Sequence, residues 1–193
     1  MQPDKKTILY RDLLLKWQKT INLVSPATLQ NVWERHFEDS LQLLDFIPQN
    51  VKKICDIGSG AGFPGLLIAM QRPDIHVDLI EADTRKCAFL QTVSRETQCH
   101  NITVYNDRIE NVMDAIEADC LTSRALASLR QIIHYAEPLW NKNPDLIMVL
   151  PKGANFQSEI DEAIKKFKFD YSLYPSKTDS KARILIVNNI RPL

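Results

Sequence analysis

Glycine is scarce in this chain, five in 193 residues, so a place where glycines gather marks a specific demand on the backbone. Cysteine is sparse too. Cys55, Cys87, Cys99 and Cys120 form no Cys-x-x-Cys pair and have no nearby histidine pair, which argues against a zinc site and against any other bound metal. They are expected to be buried or half-buried free thiols. Net charge is absent: 24 basic residues balance 24 acidic ones, so any nucleic-acid surface must come from a local patch. No apolar run is long enough to span a bilayer, and the opening MQPDKKTILYRDLL has neither the apolar stretch nor the cleavage site of a signal peptide. The expected location is the cytoplasm, with no membrane partner. Internal repeats and low-complexity segments are missing as well. What remains is a globular composition, 45% hydrophobic and 25% charged, of a length that suits one domain with a sizeable core.

The first fifty residues read as helical. Leu9, Leu13 and Trp17 recur at helical spacing, as do Leu29, Val32, Trp33, His36, Phe37, Leu41 and Leu44, with Pro26 between the two stretches and Pro48 after the second. Residues 1–50 are therefore expected to form a helical appendage to a main unit over 51–193. In that unit short strands alternate with helices. Strands are expected over 54–57, 77–80, 102–105, 119–123, 146–150 (stopped by Pro151), 169–174 and 183–187. Helical faces are carried by Ile109, Val112, Met113 and Ile116, and by Leu129, Ile132, Ile133, Ala136 and Trp140. A third, with Ile160, Ala163, Ile164 and Phe167, follows a capping box at Ser158 and Asp161. Repeated strand-helix-strand order implies an α/β fold with a parallel sheet, whose ligands bind beyond the carboxyl ends of the strands.

Four of the five glycines lie within eight positions, in Asp56-Ile-Gly58-Ser-Gly60-Ala-Gly62-Phe-Pro-Gly65. One or two would serve a tight turn; four point to a cofactor loop. Pro64 suits the first position of a following helix. The match of Gly60, Gly62 and Gly65 to the dinucleotide fingerprint is weak by itself. In that fingerprint the glycines open the helix and its N-terminus takes a pyrophosphate, whereas here a loop separates Gly58 from the helix. Asp56, at the strand end, can meet the ammonium of an amino-acid group, which S-adenosylmethionine has and a dinucleotide lacks. Glu81 ends the second strand about twenty residues beyond the loop, where an acid commonly binds ribose hydroxyls. Residues 106–110 follow the third strand where an adenine would lie.

The run DIGSGAGFPG followed by LLIAM resembles the cofactor loop of the bacterial small-subunit rRNA methyltransferase G family, also called glucose-inhibited division protein B. Further matching stretches follow in family order: Trp17-QKTI-Asn22-LVS, Arg35-His36-FEDSL, Glu81-ADTRKCAFL, Asn106-DRIE, Ser123-Arg124-ALASL and Lys152-Gly153. The resemblance runs from about Trp17 to Gly153. It implies a class I S-adenosylmethionine-dependent methyltransferase fold, Rossmann-like, with a mostly parallel seven-stranded sheet. It also implies methylation of N7 of one guanine in the decoding-region loop of 16S rRNA. Matched motif positions imply cofactor contacts at Gly58, Phe63, Ile109, Glu110 and Arg124, and Glu81 is similar in position to the acid that meets the ribose in class I enzymes; Gly60, Gly62 and Asp56 are further cofactor-binding candidates from the loop itself.

Guanine N7 has a free lone pair near neutral pH and needs no general base, which suits a chain without an acid–base dyad. Catalysis is then expected to be mostly positioning, with Arg124 orienting guanine or cofactor. RNA phosphates require cations. The candidates are Arg35, His36, Arg85, Lys86, Lys152 and the cluster Lys165, Lys166 and Lys168; His36 also suits a core histidine partnered by Asp39 or Ser40. The expected partner is 16S rRNA or the small ribosomal subunit, and the expected state is monomeric. The competing readings are a methyltransferase for a small molecule or protein, a dinucleotide-dependent oxidoreductase, and a binding module without turnover.

Overall fold

Asp4 opens the first helix, its carboxylate accepting the Thr7 N–H at 2.8 Å. In the computed structural model, which describes residues 4–193, that helix is α1 (Lys5–Trp17). Residues 1–3 of the segment expected to be helical lie outside the described residues. The buried stripe of α1 is not the expected one. Thr7, Tyr10 and Leu14 face inward with Leu13 and Trp17 beside them, while Leu9 is 38% exposed. The register 10, 13, 14 and 17 is as helical as the aliphatic one, and the large Tyr10 decides it. Helical turns follow over Pro26–Asn31, Trp33–Glu38 (a π turn), α2 (Asp39–Leu41) and Gln42–Phe46.

The sheet comprises β1 (Lys53–Ile57), β2 (His76–Ile80), β3 (Ile102–Tyr105), β4 (Cys120–Thr122), β5 (Ile147–Lys152), β6 (Phe167–Pro175) and β7 (Arg183–Pro192). Between these strands lie α3 (Gly65–Gln71), α4 (Thr84–Thr97), α5 (Ile109–Val112), α6 (Leu129–Tyr135), α7 (Glu137–Lys142) and α8 (Phe156–Ala163). The strand order is β3-β2-β1-β4-β5-β7-β6. The first five are mutually parallel, and β7 runs antiparallel between β5 and β6. The chain winds outward from β1 to β3 and then returns to β4 on the other side. The switch point therefore lies between β1 and β4, where a doubly wound sheet leaves a crevice.

Alternation along each strand divides the core in two. Ile54, Val77, Leu79, Cys120, Val149 and Ile184 face one layer; Cys55, Ile57, Ile80, Leu121, Met148 and Leu185 face the other. The first layer also contains Tyr10, Leu14, Leu23, Val24, Val32, Phe37 and Leu43. The N-terminal helical segment thus shares one core with the sheet. All four cysteines are buried and unpaired.

Four details differ from the sequence expectation. Strand β5 continues through Pro151 to Lys152, because β4 pairs it only as far as Val149; beyond that point a missing N–H is tolerated. The helix expected over 129–140 is broken at Ala136, since Pro138 lacks the N–H that would bond back to His134. Ser158 lies inside α8, whose N-cap is Asn155, so no capping box forms there. Phe167 is the first residue of β6 and not part of the preceding helix.

Candidate active site

The carboxyl ends of β1, β2, β4 and β5 open into a cleft of about 780 Å³, within the size range of small-molecule sites. The loop after β1 forms one wall. Its turn is pinned to the neighbouring strand: the Gly58 and Ser59 N–H groups both donate to the Ile80 carbonyl, at 2.9 and 3.0 Å. Gly60 has φ +57°, and a Cβ there would meet nothing nearer than the Gly58 oxygen at 3.8 Å. Open space beside bare backbone is what close approach of a ligand requires. Gly58, Phe63, Glu81, Ile109, Glu110 and Arg124 all line the same cleft. Gly62 does not; its side of the loop faces Tyr10. The helix after the loop begins at Gly65, with Pro64 as its N-cap rather than its first residue.

Glu81 spans the loop. One carboxylate oxygen accepts the Gly60 N–H at 2.8 Å and the other accepts the Asp83 N–H at 2.9 Å. The acid is thereby held at the cleft with lone pairs to spare for hydroxyl donors.

Asp56 is placed differently from the sequence expectation. It is fully buried beneath the loop, where its oxygens accept from the Thr122 hydroxyl at 3.0 Å and the Gly65 N–H at 3.2 Å. Burial pushes its carboxyl up to about 6, against the opposing pull of these hydrogen bonds and of the Arg124 charge. The group ties β1, β4 and α3 together and does not reach the cleft to meet an ammonium. The cause is local: Asp56 and Thr122 are register partners on the face covered by α3.

Arg124 follows β4 and leans across the cleft toward the N-terminal segment. Nη1 donates to the Arg35 carbonyl at 2.9 Å and approaches the Asp39 carboxylate at 3.4 Å; Nη2 lies 2.6 Å from His36 Nδ1. The guanidinium carbon stands 5.1 Å from the centroid of the Phe63 ring. Arg124 is partly enclosed, its side chain being 17% exposed.

His36 is a buried acceptor and not an exposed RNA contact. Because Arg124 can only donate, His36 Nδ1 must accept; Nε2–H then donates to the Thr28 hydroxyl at 2.7 Å, and that hydroxyl donates to the Ser25 carbonyl at 2.8 Å. Burial, then the charges of Arg124 and Arg35, lower His36 to about 4, so the ring is neutral. Its expected partners are elsewhere engaged: Ser40 donates to the His36 carbonyl, and Asp39 accepts from Thr178 at 2.7 Å. Lys152 is also withdrawn from phosphate. It is 6% exposed, with Nζ 2.8 Å from Glu159 and 3.3 Å from the Ala127 carbonyl. Glu159 in turn accepts the Leu129 N–H at 2.7 Å, so the pair anchors the loop carrying Arg124. Of the expected RNA cations, Lys86 stands half-buried and Arg35 exposed at the cleft margin, the latter 3.4 Å from Asp179. Sequence reasoning missed Tyr10, Thr28 and Thr122. The helical spacing of Tyr10 with Leu13, Leu14 and Trp17 was the available signal for the first; the other two had none.

The family model for rRNA small subunit methyltransferase G (GidB) matches residues 4–184. The chain belongs to this family. It is 43% identical over 186 residues to the ribosomal RNA small subunit methyltransferase G of Methylorubrum extorquens (strain PA1), covering 94% of this chain and 86% of that protein. It is 44% identical over 176 residues to that of Orientia tsutsugamushi (strain Ikeda), covering 91% and 85%. Among solved structures, the O-methyltransferase TomG from Streptomyces achromogenes in complex with SAM superposes with a TM-score of 0.62 at 12% identity, covering 97% of this chain and 91% of that one. The ribosomal protein L11 methylase from Lactobacillus delbrueckii subsp. bulgaricus gives 0.60 at 13%, covering 80% and 78%. These likenesses establish the class I methyltransferase fold expected from the sequence. In this member of the rRNA small subunit methyltransferase G family, the segment SRALASL is the loop after β4 that presents Arg124, and RHFEDSL forms the helical turns that hold it. No helix among the described residues is long and apolar enough to cross a membrane.

Proposed function

We propose that this chain transfers a methyl group from S-adenosylmethionine to N7 of a guanine in 16S rRNA, acting in the cytoplasm as a monomer on the small ribosomal subunit or its RNA. The observation that carries the reading is the pairing, in one cleft of a chain of this family, of a glycine loop with Glu81 on one side and a clamped Arg124 on the other. The bare backbone at Gly60 and the free lone pairs of Glu81 suit a nucleoside ligand. Glu81 would accept ribose hydroxyls, Ile109 and Glu110 would border the adenine, and Gly58 and Phe63 would flank the amino-acid end. The cofactor supplies a methyl group already activated on a positive sulfonium.

The protein's own contribution is position. N7 carries no proton to remove, so a cleft without a free basic dyad suffices. Arg124, denied rotation by three acceptors, would orient the guanine or the cofactor so that N7 and the methyl are in line. Arg35 and Lys86 at the margin would take phosphates. The target base is expected in a loop, because the major groove of A-form RNA is too narrow to expose N7. Residues 1–50 and 51–193 would act as one unit, since the acceptors for Arg124 come from the first.

The test is to mix purified protein with methyl-labelled S-adenosylmethionine and unmethylated small subunits and map the label by nucleotide. Label on one guanine N7 of 16S rRNA is the expected result. Cofactor binding without label would overturn the rRNA assignment and leave a methyltransferase for another substrate.

A further inference from the structure

The loop between β1 and α3 rests on α1, and one side chain makes the contact. Tyr10 is fully buried, and its hydroxyl donates to the carbonyl of Ala61, at the centre of the glycine run. Ala61 is itself 4% exposed, and no backbone N–H in the turns and loops of the described residues reaches its oxygen. Without the hydroxyl that carbonyl would be a buried acceptor with no partner. The chain makes room for it: a Cβ at Gly62 would stand 2.6 Å from the Tyr10 hydroxyl oxygen. The oxygen and a side chain at position 62 therefore exclude each other. The Tyr10 ring also stacks on Phe63, with centroids 5.4 Å apart and planes 17° apart, while Phe37 meets it edge-on at 5.2 Å. On another side, Phe63 has Arg124 at 5.1 Å and His36 at 5.2 Å.

We propose that Tyr10 is a positioning residue for the cofactor loop: its hydroxyl fixes the Ala61 carbonyl and its ring backs Phe63, so that α1 is part of the S-adenosylmethionine site. The inference rests on the reading of the cleft given above. Three positions in succession, Ala61, Gly62 and Phe63, answer to one side chain from a helix fifty residues away. Burial pushes the phenol well above its usual range, so it stays protonated and can donate at any working pH.

Tyr10→Phe removes the oxygen and keeps the ring. The expected result is about a tenfold rise in the calorimetric Kd for S-adenosylmethionine, the size of one buried hydrogen bond lost. Amide hydrogen exchange over 58–63 should quicken in the same variant while exchange within α1 stays as in the parent. Leu14→Ala serves as the control, because it loosens the seat of α1 and leaves the hydroxyl in place. It should lower the melting temperature at least as far and move the Kd less than twofold. Equal cofactor affinity in Tyr10→Phe and the parent would overturn the inference, as would an equal loss of affinity in Leu14→Ala. A parent protein that binds no S-adenosylmethionine would instead overturn the reading of the cleft, and the inference with it.

Discussion

Asp56 offers a prediction in which structure and motif point in opposite directions. Its carboxyl is fully buried and raised from 3.8 to about 6, chiefly by desolvation. A carboxyl that ionises more readily in the unfolded chain withdraws stability as pH rises. Its contribution is fully present below pH 3.8, declines between 3.8 and 6, and is lost above 6; the loss amounts to about 3 kcal/mol. Asp56→Asn removes the ionisation and keeps an oxygen for the Gly65 N–H. It gives up one acceptor, at a cost of about 1 kcal/mol, since the Thr122 hydroxyl must turn to accept from the new amide. The variant should therefore be more stable than the parent by about 2 kcal/mol at pH 7.5, or roughly 4–8 °C in melting temperature for a chain of this size. Urea unfolding at pH 4.5, 6 and 7.5 would display this as a parent curve that falls with pH and a variant curve that falls less. Calorimetry at pH 7.5 should find S-adenosylmethionine affinity within about threefold of the parent. A folded Asp56→Asn protein that had lost cofactor binding, or one less stable at pH 7.5, would refute the placement of Asp56 beneath the loop and restore it as a ligand contact.

His36, lowered to about 4 against an ordinary 6.5, should contribute stability that is complete above pH 6.5 and lost as pH falls through 4; in thermal melts at acid pH, His36→Phe should lose less than the parent. Lys152→Ala leaves Glu159 in a half-buried site without its cation, and should destabilise by about 3 kcal/mol in urea titrations while leaving the salt dependence of RNA binding unchanged. Lys86→Ala and Arg35→Ala should each weaken binding to small subunits and flatten the log–log salt slope by about one, with cofactor affinity unaltered in calorimetry.

The β-strand pattern was legible because apolar runs of four to six residues are bounded by turns, and each of the seven expected strands overlaps an observed one, although β7 runs five residues past Val187. Boundaries failed where a neighbour decides them. Pro151 stays in β5 because β4 has already ended, a fact about pairing and not about residues 146–152. Of the cleft lining, the glycine loop, Glu81 and Arg124 were readable as residues at the carboxyl ends of strands. Orientation was not readable. Asp56 and Glu81 both end strands, yet Asp56 turns inward against Thr122 and Glu81 turns toward the cleft. His36 and Lys152 are cations by composition but are buried against Arg124 and Glu159, partners 88 and 7 residues away.

The arrangement around Arg124 joins these observations. Its carbonyl, carboxylate and imidazole acceptors are supplied by Arg35, Asp39 and His36, all within one helical turn and its extension ahead of the first strand. Asp39 offsets the charge of Arg124, and the same charge helps keep His36 neutral. The cluster is therefore close to electrically neutral. Protonating His36 would add a second cation beside Arg124 and within the same wall as Phe63. A lysine at position 124 could not reproduce the arrangement, because the three acceptors lie around a planar fork and an ammonium is a point. An arginine from the loop after β4, held by a neutral histidine and an aspartate from the N-terminal segment, is thus fixed in direction while its charge is offset locally. The shared core of the helical segment and the sheet keeps Arg124 and its three acceptors from moving apart.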